Sequence, residues 1–363
     1  MKKLLTRLLL SLVIGGGLLY LAIRSIEFEG TVAALKQASW WVLGPYYLLM
    51  TAQHLLRSWR WSHLLAPIAG PVPFSRILPI STVGFFAILA LPLRMGEFVR
   101  PYLIADPPRL RMSQALGTLA VERVFDGLIL ALTAFVSIEL ARRRGIAPTW
   151  LLGTGYVALA LFLIALIVLV MALWQRDRAV TLCRKLVGLF SKRLADRAAS
   201  IAAGVVDGFR VLPNVGRLAM FVLTTCGYWA LNAAAFWALS WGFGMGLTFG
   251  GSMAFTSLIG IGIMVPAGPG FIGNFELFAD GALGMYADPS ANKHRGAAFI
   301  LASHAANAAW YIIAGAIAMF SAHVTFRKVW TISTSSSTDE NQSAPANATG
   351  DRSPVVPQEG DVR

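Results

Sequence analysis

The chain has 363 residues, of which 56 % are hydrophobic and 13 % are charged, about half the charged share of an ordinary soluble domain. This composition excludes a typical soluble enzyme, a disordered regulator and a disulfide-built secreted module. The formal net charge is +13, and in so apolar a chain we expect it in loops that face anionic lipid, with no nucleic-acid partner. The two cysteines, Cys183 and Cys226, are isolated in the sequence, so we predict no metal site and no disulfide framework, and we expect no cofactor.

Stretches without charge locate the candidate membrane helices, because about 20 apolar residues are needed to cross a bilayer. The first stretch, 8–23, follows a basic N-terminus, and we expect an uncleaved first span because no cleavage pattern follows it. The others lie at 37–56, 77–93, 115–138, 149–174, 218–275 and 296–326, and among them only 115–138 contains charged residues, Glu122, Arg123 and Asp126.

Two regions, 77–93 and 253–286, are interrupted by proline and glycine and do not resemble plain spans. Non-helical backbone at membrane depth persists only where protein buries it or where it lines a wet cavity. We therefore predict two re-entrant or broken helices. The predicted fold is an all-α polytopic membrane protein with about six transmembrane helices plus these two elements, arranged as inverted repeats.

The distribution of Lys and Arg predicts the orientation. If 77–93 is re-entrant from the cytoplasm, most basic residues lie inside, both termini are cytoplasmic, and the location is a bacterial inner (plasma) membrane. The run from Arg142 to Arg144 falls on the outer side, and this scheme does not explain it.

The chain divides into a transmembrane domain at 1–330 and a polar tail at 331–363, which we expect to be disordered and cytoplasmic. Within the domain, basic and apolar residues alternate along 175–217. That pattern predicts one or two amphipathic helices on the inner leaflet.

The two broken segments share one pattern, in which an apolar run meets a Pro/Gly interruption and then a glutamate. The residues are Pro92, Gly96 and Glu97 in the first segment, and Pro266, Pro269, Gly270, Gly273 and Glu276 in the second. Paired interruptions in corresponding halves of a chain indicate an inverted-repeat transporter with a central site.

Glu276 is the only formal charge between Arg217 and Asp280. A carboxylate at membrane depth is costly and is therefore a functional candidate. The glycine-rich turn before it offers free N–H groups and a positive helix end, which suit a carboxylate or a lipid phosphate. The alternative is that Glu276 only caps its own helix.

Arg94, Glu97 and Arg100 form a second candidate cluster. Glu97 and Arg100 are three residues apart and can share a helix face. The forked guanidinium of arginine suits bidentate phosphate binding. The alternative is an ion pair and a basic anchor at the membrane edge.

Glu122, Arg123 and Asp126 lie within the fourth stretch, with the two carboxylates one turn apart. Such groups should face the protein interior and pair with a basic residue. The partners that we expect are Arg57, Arg60 or Arg94. A purely structural contact between helices is the alternative.

A proton relay is a weaker alternative, because single histidines in membrane helices more often serve packing. Its members would be His54, His63, His304 and Asn307. No nucleotide-binding motif, catalytic triad or HExxH pattern occurs, so we do not expect an enzyme.

Four motifs, in this order, resemble the lysylphosphatidylglycerol synthase transmembrane region, also called flippase-like, over residues 2–327. They are Arg57-x-x-Arg60-Trp61, Pro92-x-Arg94-x-Gly96-Glu97-x-x-Arg100, Glu122-Arg123-x-x-Asp126 and Pro266-x-x-Pro269-Gly270-x-x-Gly273-x-x-Glu276. The resemblance implies a lipid flippase with a cavity between inverted halves. Full synthases add an aminoacyl-transfer domain after this region, and some relatives add a glycosyltransferase domain before it. Since this sequence has neither, we expect a stand-alone membrane module.

The expected function is translocation of an anionic phospholipid or a polyprenyl phosphate between leaflets. Arg94 and Arg100 would attract the head group, and the carboxylates would tune the charge of the path. The predicted path residues are Arg94, Glu97, Arg100, Glu122, Arg123, Asp126 and Glu276. Two alternatives remain open: a proton-coupled transporter of a small anion, and a non-transporting scaffold for a lipid-modifying enzyme.

Overall fold

The computed structural model describes residue 17 and residues 27–189, 191–209, 213–265, 269–286 and 289–321. These residues form twelve α-helices and no strand, which confirms the predicted all-α fold. The helices are α1 (Phe28–Gln37), α2 (Leu43–Ala69), α3 (Phe74–Ala90), α4 (Val99–Ile104), α5 (Met112–Arg143), α6 (Thr149–Trp174), α7 (Arg176–Gly188), α8 (Lys192–Asp207), α9 (Val215–Gly242), α10 (Phe249–Met264), α11 (Asn274–Tyr286) and α12 (Pro289–Ser321).

Four of the described helices are long and apolar enough to cross a membrane, namely α5, α6, α9 and the Lys293–Phe320 part of α12. A fifth crossing results if Trp40–Ala69 and Phe74–Ala90, which meet at a bend of 116°, form one broken span. The multi-pass membrane fold is thus confirmed. The predicted first span at 8–23 and the predicted tail at 331–363 lie outside the described residues.

Helix α6 shows how the bilayer acts as a solvent for this fold. Its sequence is almost wholly apolar, yet few of its side chains are buried, and residues such as Leu161, Ile164 and Val168 face outward. Exposed apolar faces of this kind are favourable in lipid, where the acyl tails are as apolar as the side chains.

Two apolar cores lie at opposite ends of helix α2. Tyr46 and Met50 belong to the first core, and Trp61 and Leu64 belong to the second. The α2 positions between them are occupied by buried polar side chains, which are Gln53, His54, Arg57, Ser58 and Arg60.

Helices α5 and α9 repeat this arrangement. Along α5, Val121 packs in the second core and Leu130 in the first, and along α9, Phe221 and Phe236 do the same. The buried polar side chains between these positions include Glu122, Asp126, Thr225 and Asn232. The three helices therefore place one polar layer between two apolar cores.

The first predicted break is observed after α3. Leu91 is extended, and a 3₁₀ segment, Pro92–Phe98, separates α3 from the short α4. Proline has no N–H to continue the preceding helix, which favours an interruption here. Gly96 packs directly on α3, and a Cβ at this position would lie 2.2 Å from the backbone carbon of Ala87.

The second predicted break is observed between α10 and α11. A 3₁₀ turn, Pro269–Phe271, contains Gly270 at φ 74°, and Gly273 at φ 89° precedes the start of α11. Pro266 lies outside the described residues. Glu276 is the third residue of α11, as the pattern predicted for the start of a new helix.

The predicted amphipathic helices at 175–217 are observed as α7 and α8. No residue of α7 is buried, whereas α8 packs on α5, where Gly117 and Gly208 are in close contact. Asp207 at the end of α8 accepts hydrogen bonds from Arg111 at 3.4 Å and Arg176 at 3.2 Å.

Candidate lipid head-group site

Arg60 is the centre of a buried ion network. Its Nη1 donates to Asp126 Oδ1 at 2.6 Å and to Thr225 Oγ1 at 2.8 Å, and its Nη2 donates to Glu122 Oε1 at 3.2 Å. Arg60 and both carboxylates are at most 1 % exposed. Of the three expected basic partners, the structure selects Arg60. Burial of this network is tolerable because each charge has an opposite partner and hydrogen bonds.

Arg100 is a second partner of Glu122. Its Nη1 donates to Glu122 Oε2 at 2.8 Å, and its guanidinium lies 4.1 Å from the centre of a ring of Trp61. Arg100 is fully buried. It therefore lies behind the site and supports Glu122, and it lines neither of the two openings described below.

Glu97 does not pair with Arg100, contrary to the helix-face expectation. It lies in the 3₁₀ segment, where Arg94 has φ 58°, and not on α4, which carries Arg100. Its Oε1 accepts a 2.8 Å hydrogen bond from Arg94 Nε and lies 3.5 Å from Arg123 Nε. The break thus joins Arg94, Glu97 and Arg123 in one cluster.

A cavity of about 100 Å³ lies beside this cluster, lined by α2, α3, α5, α9, α10, α11, α12 and both breaks. It has room for several water molecules. Its polar lining consists of Gln53, Arg57, Arg94, Arg123, Asn232, Thr256, His304 and Asn307. The rest of the wall is largely apolar and aromatic, so the cavity presents three guanidinium groups within a mainly apolar wall.

Arg57 has no ion-pair or hydrogen-bond partner in the part of the chain that the structure describes. It is 8 % exposed, and its guanidinium lies 3.5 Å from the ring centre of Phe85 and 5.4 Å from that of Tyr228. Its buried Nε lacks a hydrogen-bond acceptor. An unpaired buried charge is strongly unfavourable unless an anion joins it.

The whole polar layer carries an excess of positive charge. The arginines are Arg57, Arg60, Arg94, Arg100 and Arg123, and the carboxylates paired with them are Glu97, Glu122 and Asp126. Five positive and three negative groups leave a formal surplus of two positive charges. A surplus within a low-dielectric region attracts anions more strongly than the same charges in water.

A second, more open cleft of about 480 Å³ meets the same cluster from outside. Arg94, Arg123 and Met264 line both this cleft and the enclosed cavity. Otherwise the cleft is lined by Glu97 and by Phe98, Leu116, Leu119, Ala120 and Phe162. Two arginines and one methionine therefore separate an apolar side opening from a positively charged interior.

Glu276 lies in a different environment from the arginine cluster. Its Oε2 accepts a 2.7 Å hydrogen bond from Gly273 N, so it does cap its helix. Its Oε1 also lies 2.5 Å from Nδ1 of His304, whose Nε2 lies 2.7 Å from the carbonyl oxygen of Gly270. Phe275 stacks on the imidazole at 4.4 Å.

The sequence model of the family described as lysylphosphatidylglycerol synthase TM region matches residues 8–315. The chain belongs to this family. In an alignment of 219 positions, the chain is also 28 % identical to a protein named glycosyltransferase AglD from Haloferax volcanii, and the alignment covers 52 % of this chain and 34 % of that protein. The chain thus spans about a third of that relative's length. No solved structure matches it.

In this member of the family, the first three motifs meet in the polar layer, and the described part of the fourth, from Pro269 onward, forms the turn that carries Glu276. Sequence reasoning missed two residues of the site. Arg57 was assigned only as a possible partner of the carboxylates, although it lies one turn before Arg60 on the same helix face. From the sequence, His304 enters only the weaker proton-relay alternative, because nothing in the sequence indicates that α12 places it against Glu276.

Proposed function

We propose that this protein moves an anionic, phosphate-bearing lipid between the leaflets of a membrane. One observation carries the proposal: Arg94 and Arg123 line both the open cleft and the enclosed cavity, within a layer of surplus positive charge. A lipid needs such a side opening, because its head group must cross a polar path while its acyl chains stay in the bilayer. Membership of the family supports a role in membrane-lipid biology.

In this mechanism the head group enters from the cleft and displaces Glu97 from Arg94 and Arg123. The phosphate exchanges its hydration for guanidinium donors, which bind phosphate oxygens in a fixed fork. Arg57 then offers a guanidinium that has no competing carboxylate. The cavity is small, so a bulky head group requires the Arg94–Glu97 contact to open.

The buried residues behind the path have a supporting role. Glu122 and Asp126 fix Arg60 and Arg100, which keeps the layer positive without leaving these arginines unpaired. No bond of the lipid is made or broken in this account, so the protein acts as a transporter and not as an enzyme. Its proposed place is a bacterial inner membrane, with both termini in the cytoplasm.

The proposal is tested by reconstituting the full chain in liposomes that contain head-group-labelled phosphatidylglycerol or a labelled polyprenyl phosphate. Chemical quenching from outside reports how fast labelled lipid reaches the outer leaflet. We expect faster quenching than in protein-free liposomes for at least one of the two lipids. If neither lipid is quenched faster in protein-containing than in protein-free liposomes, with or without an imposed proton gradient, the proposal is contradicted.

The same vesicles separate the two alternative functions. Accumulation of a radiolabelled soluble anion without lipid movement would indicate a small-anion transporter. The open cleft, whose wall is mainly apolar, favours a lipid over such a solute. Loss of cellular function only when 175–217 is exchanged would indicate a scaffold for a lipid-modifying enzyme.

A further inference from the structure

The contact between Glu276 and His304 defines where a proton must lie. The carbonyl oxygen of Gly270 can only accept a hydrogen bond, so the His304 Nε2 at 2.7 Å must donate its hydrogen. The other ring nitrogen, Nδ1, lies 2.5 Å from Glu276 Oε1. Two lone pairs at that distance would repel, so one proton lies between them.

We name Glu276 and His304 the shared-proton pair. The shared proton can lie at either of two positions. Either the proton is on Nδ1, giving an imidazolium beside a carboxylate, or it is on Oε1, giving two neutral groups. The net charge of the shared-proton pair is zero in both. Release of the proton leaves one negative charge, held by a carboxylate that Gly273 N–H stabilises at 2.7 Å.

The shared-proton pair belongs to the wall of the arginine cavity. His304 lines that cavity, and the ring of Phe275 that stacks on it does so as well. Glu276 lies behind the imidazole and is 7 % exposed. A change in the charge of the pair therefore changes the electrostatic potential in the cavity, where we place the phosphate.

The other charged and titratable groups around the pair are few. Those lining the same cavity are Arg57 on α2, Arg94 in the first break, Arg123 on α5 and Tyr311 on α12. The parts of α3, α9 and α10 that line it contribute uncharged side chains. Asp280 follows Glu276 by one turn on α11, and the basic residues of α12 lie more than two turns away, at Lys293, His294 and Arg295.

We infer that the shared-proton pair is a proton-binding site that is loaded together with the anionic head group. This inference rests on the proposed function. With the cavity empty, the surplus arginine charge weakens the hold of the pair on its proton. An anion in the cavity cancels part of that charge, so the pair holds its proton more firmly. By linkage, a protonated pair must then strengthen anion binding by the same factor.

The charge and proton balance follows directly. One phosphodiester brings one negative charge, and one proton from the adjoining water enters between Oε1 and Nδ1. On release the same proton returns to water with the head group. The lipid and the proton thus cross together, which allows a proton gradient to drive lipid movement.

The test uses the full chain in detergent micelles, with dihexanoylphosphatidylglycerol as the probe. This phosphodiester lacks the second ionisation that a phosphomonoester shows near about pH 6, so the probe keeps its charge. Calorimetric titrations in two buffers of different ionisation enthalpy give the number of protons taken up per bound probe. Repeating them over a series of pH values gives the dependence of Kd on pH.

At pH values where the empty pair has lost its proton, we expect proton uptake approaching one per bound probe, and a Kd that falls by up to about tenfold for each pH unit of acidification. Glu276→Gln can keep the hydrogen bond from Gly273 N–H, but its side chain does not ionise. This variant should therefore bind the probe with a Kd that hardly changes with pH. His304→Gln should also remove proton uptake. Asp280→Asn, one turn along α11, is the matched control and should retain the wild-type pH dependence.

The outcomes separate this inference from the proposed function. In one outcome, the wild type binds the probe without taking up a proton, while Arg57→Ala does not bind it. That result would overturn the inference about the shared-proton pair and would leave the proposed head-group site supported. The same pH dependence in Glu276→Gln as in the wild type would overturn it as well. Absence of probe binding at every pH would contradict both proposals.

Discussion

Nη1 of Arg94 donates a 2.6 Å hydrogen bond to the backbone carbonyl of Ile263, one residue before the end of α10 at Met264. The first interrupted helix is therefore connected to the second through one arginine, which also donates to Glu97. A displacement of Arg94 by a lipid phosphate would change both breaks at once. This link gives the paired interruptions a physical role beyond their similar sequences.

Arg94→Lys tests this connection. Lysine keeps the charge but lacks the planar fork that binds Glu97 and the Ile263 carbonyl together. We expect lipid movement to slow about tenfold, which corresponds to the loss of one charge-assisted hydrogen bond. Hydrogen exchange should also become faster around residues 262–273, which are distant in sequence. Arg76→Lys, at an exposed ion pair with Asp106, should change neither measurement.

Arg57→Met separates function from stability. Methionine of similar length removes a buried charge that has no ionic partner in the described structure, so thermal unfolding in detergent should shift to higher temperature. Lipid movement should fall about tenfold to a hundredfold, because one or two charge-assisted contacts to phosphate are lost. A lower unfolding temperature in this variant would indicate that Arg57 stabilises the fold and would argue against an anion site.

Asp126→Asn should have the opposite effect on stability. It leaves the buried Arg60 with a weakened partner, and breaking a buried ion pair costs about 3–5 kcal/mol. Asp106→Asn removes a carboxylate from an exposed ion pair and should cost at most about 1 kcal/mol. Thermal melts of both variants in one detergent check the difference. Similar melting temperatures would show that the network around Arg60 contributes little to stability.

Gly96→Ala tests the geometry of the first break. A methyl group at Gly96 would overlap the backbone of Ala87, so the 3₁₀ segment must move away from α3 and take Arg94 with it. We expect lower thermal stability and slower lipid movement. Gly153→Ala, where a methyl group meets nothing within 4 Å, is the control and should leave both unchanged.

The sequence predicted the helical membrane fold, the positions of both breaks and the amphipathic pair at 175–217. These features depend on local properties, such as apolar length, the missing N–H of proline and the spacing of basic residues, which one chain segment reveals by itself. The pairing of Glu122 and Asp126 with Arg60 was also within reach, because a buried carboxylate requires a base and few bases are near.

The finer site depends on how distant helices pack, and local patterns do not contain that information. Glu97 turned to Arg123 because Arg94 adopts a positive φ in the 3₁₀ segment, which helix periodicity does not anticipate. The contact of His304 with Glu276 requires α11 and α12 to place residues 28 positions apart side by side. The lack of an ionic partner for Arg57 emerged only once the partners of every other charge in the layer were known.

The most direct test of the central claim is the rate of transbilayer movement of labelled phosphatidylglycerol in liposomes with wild-type protein, Arg57→Ala or Arg184→Ala. Arg184 is an exposed arginine of α7 that pairs with the exposed Asp196, so it matches the change in charge without touching the cavity. We predict that the wild type and Arg184→Ala accelerate the movement equally, and that Arg57→Ala loses at least about nine-tenths of the acceleration. Equal acceleration by all three proteins would contradict a head-group path through the arginine cavity.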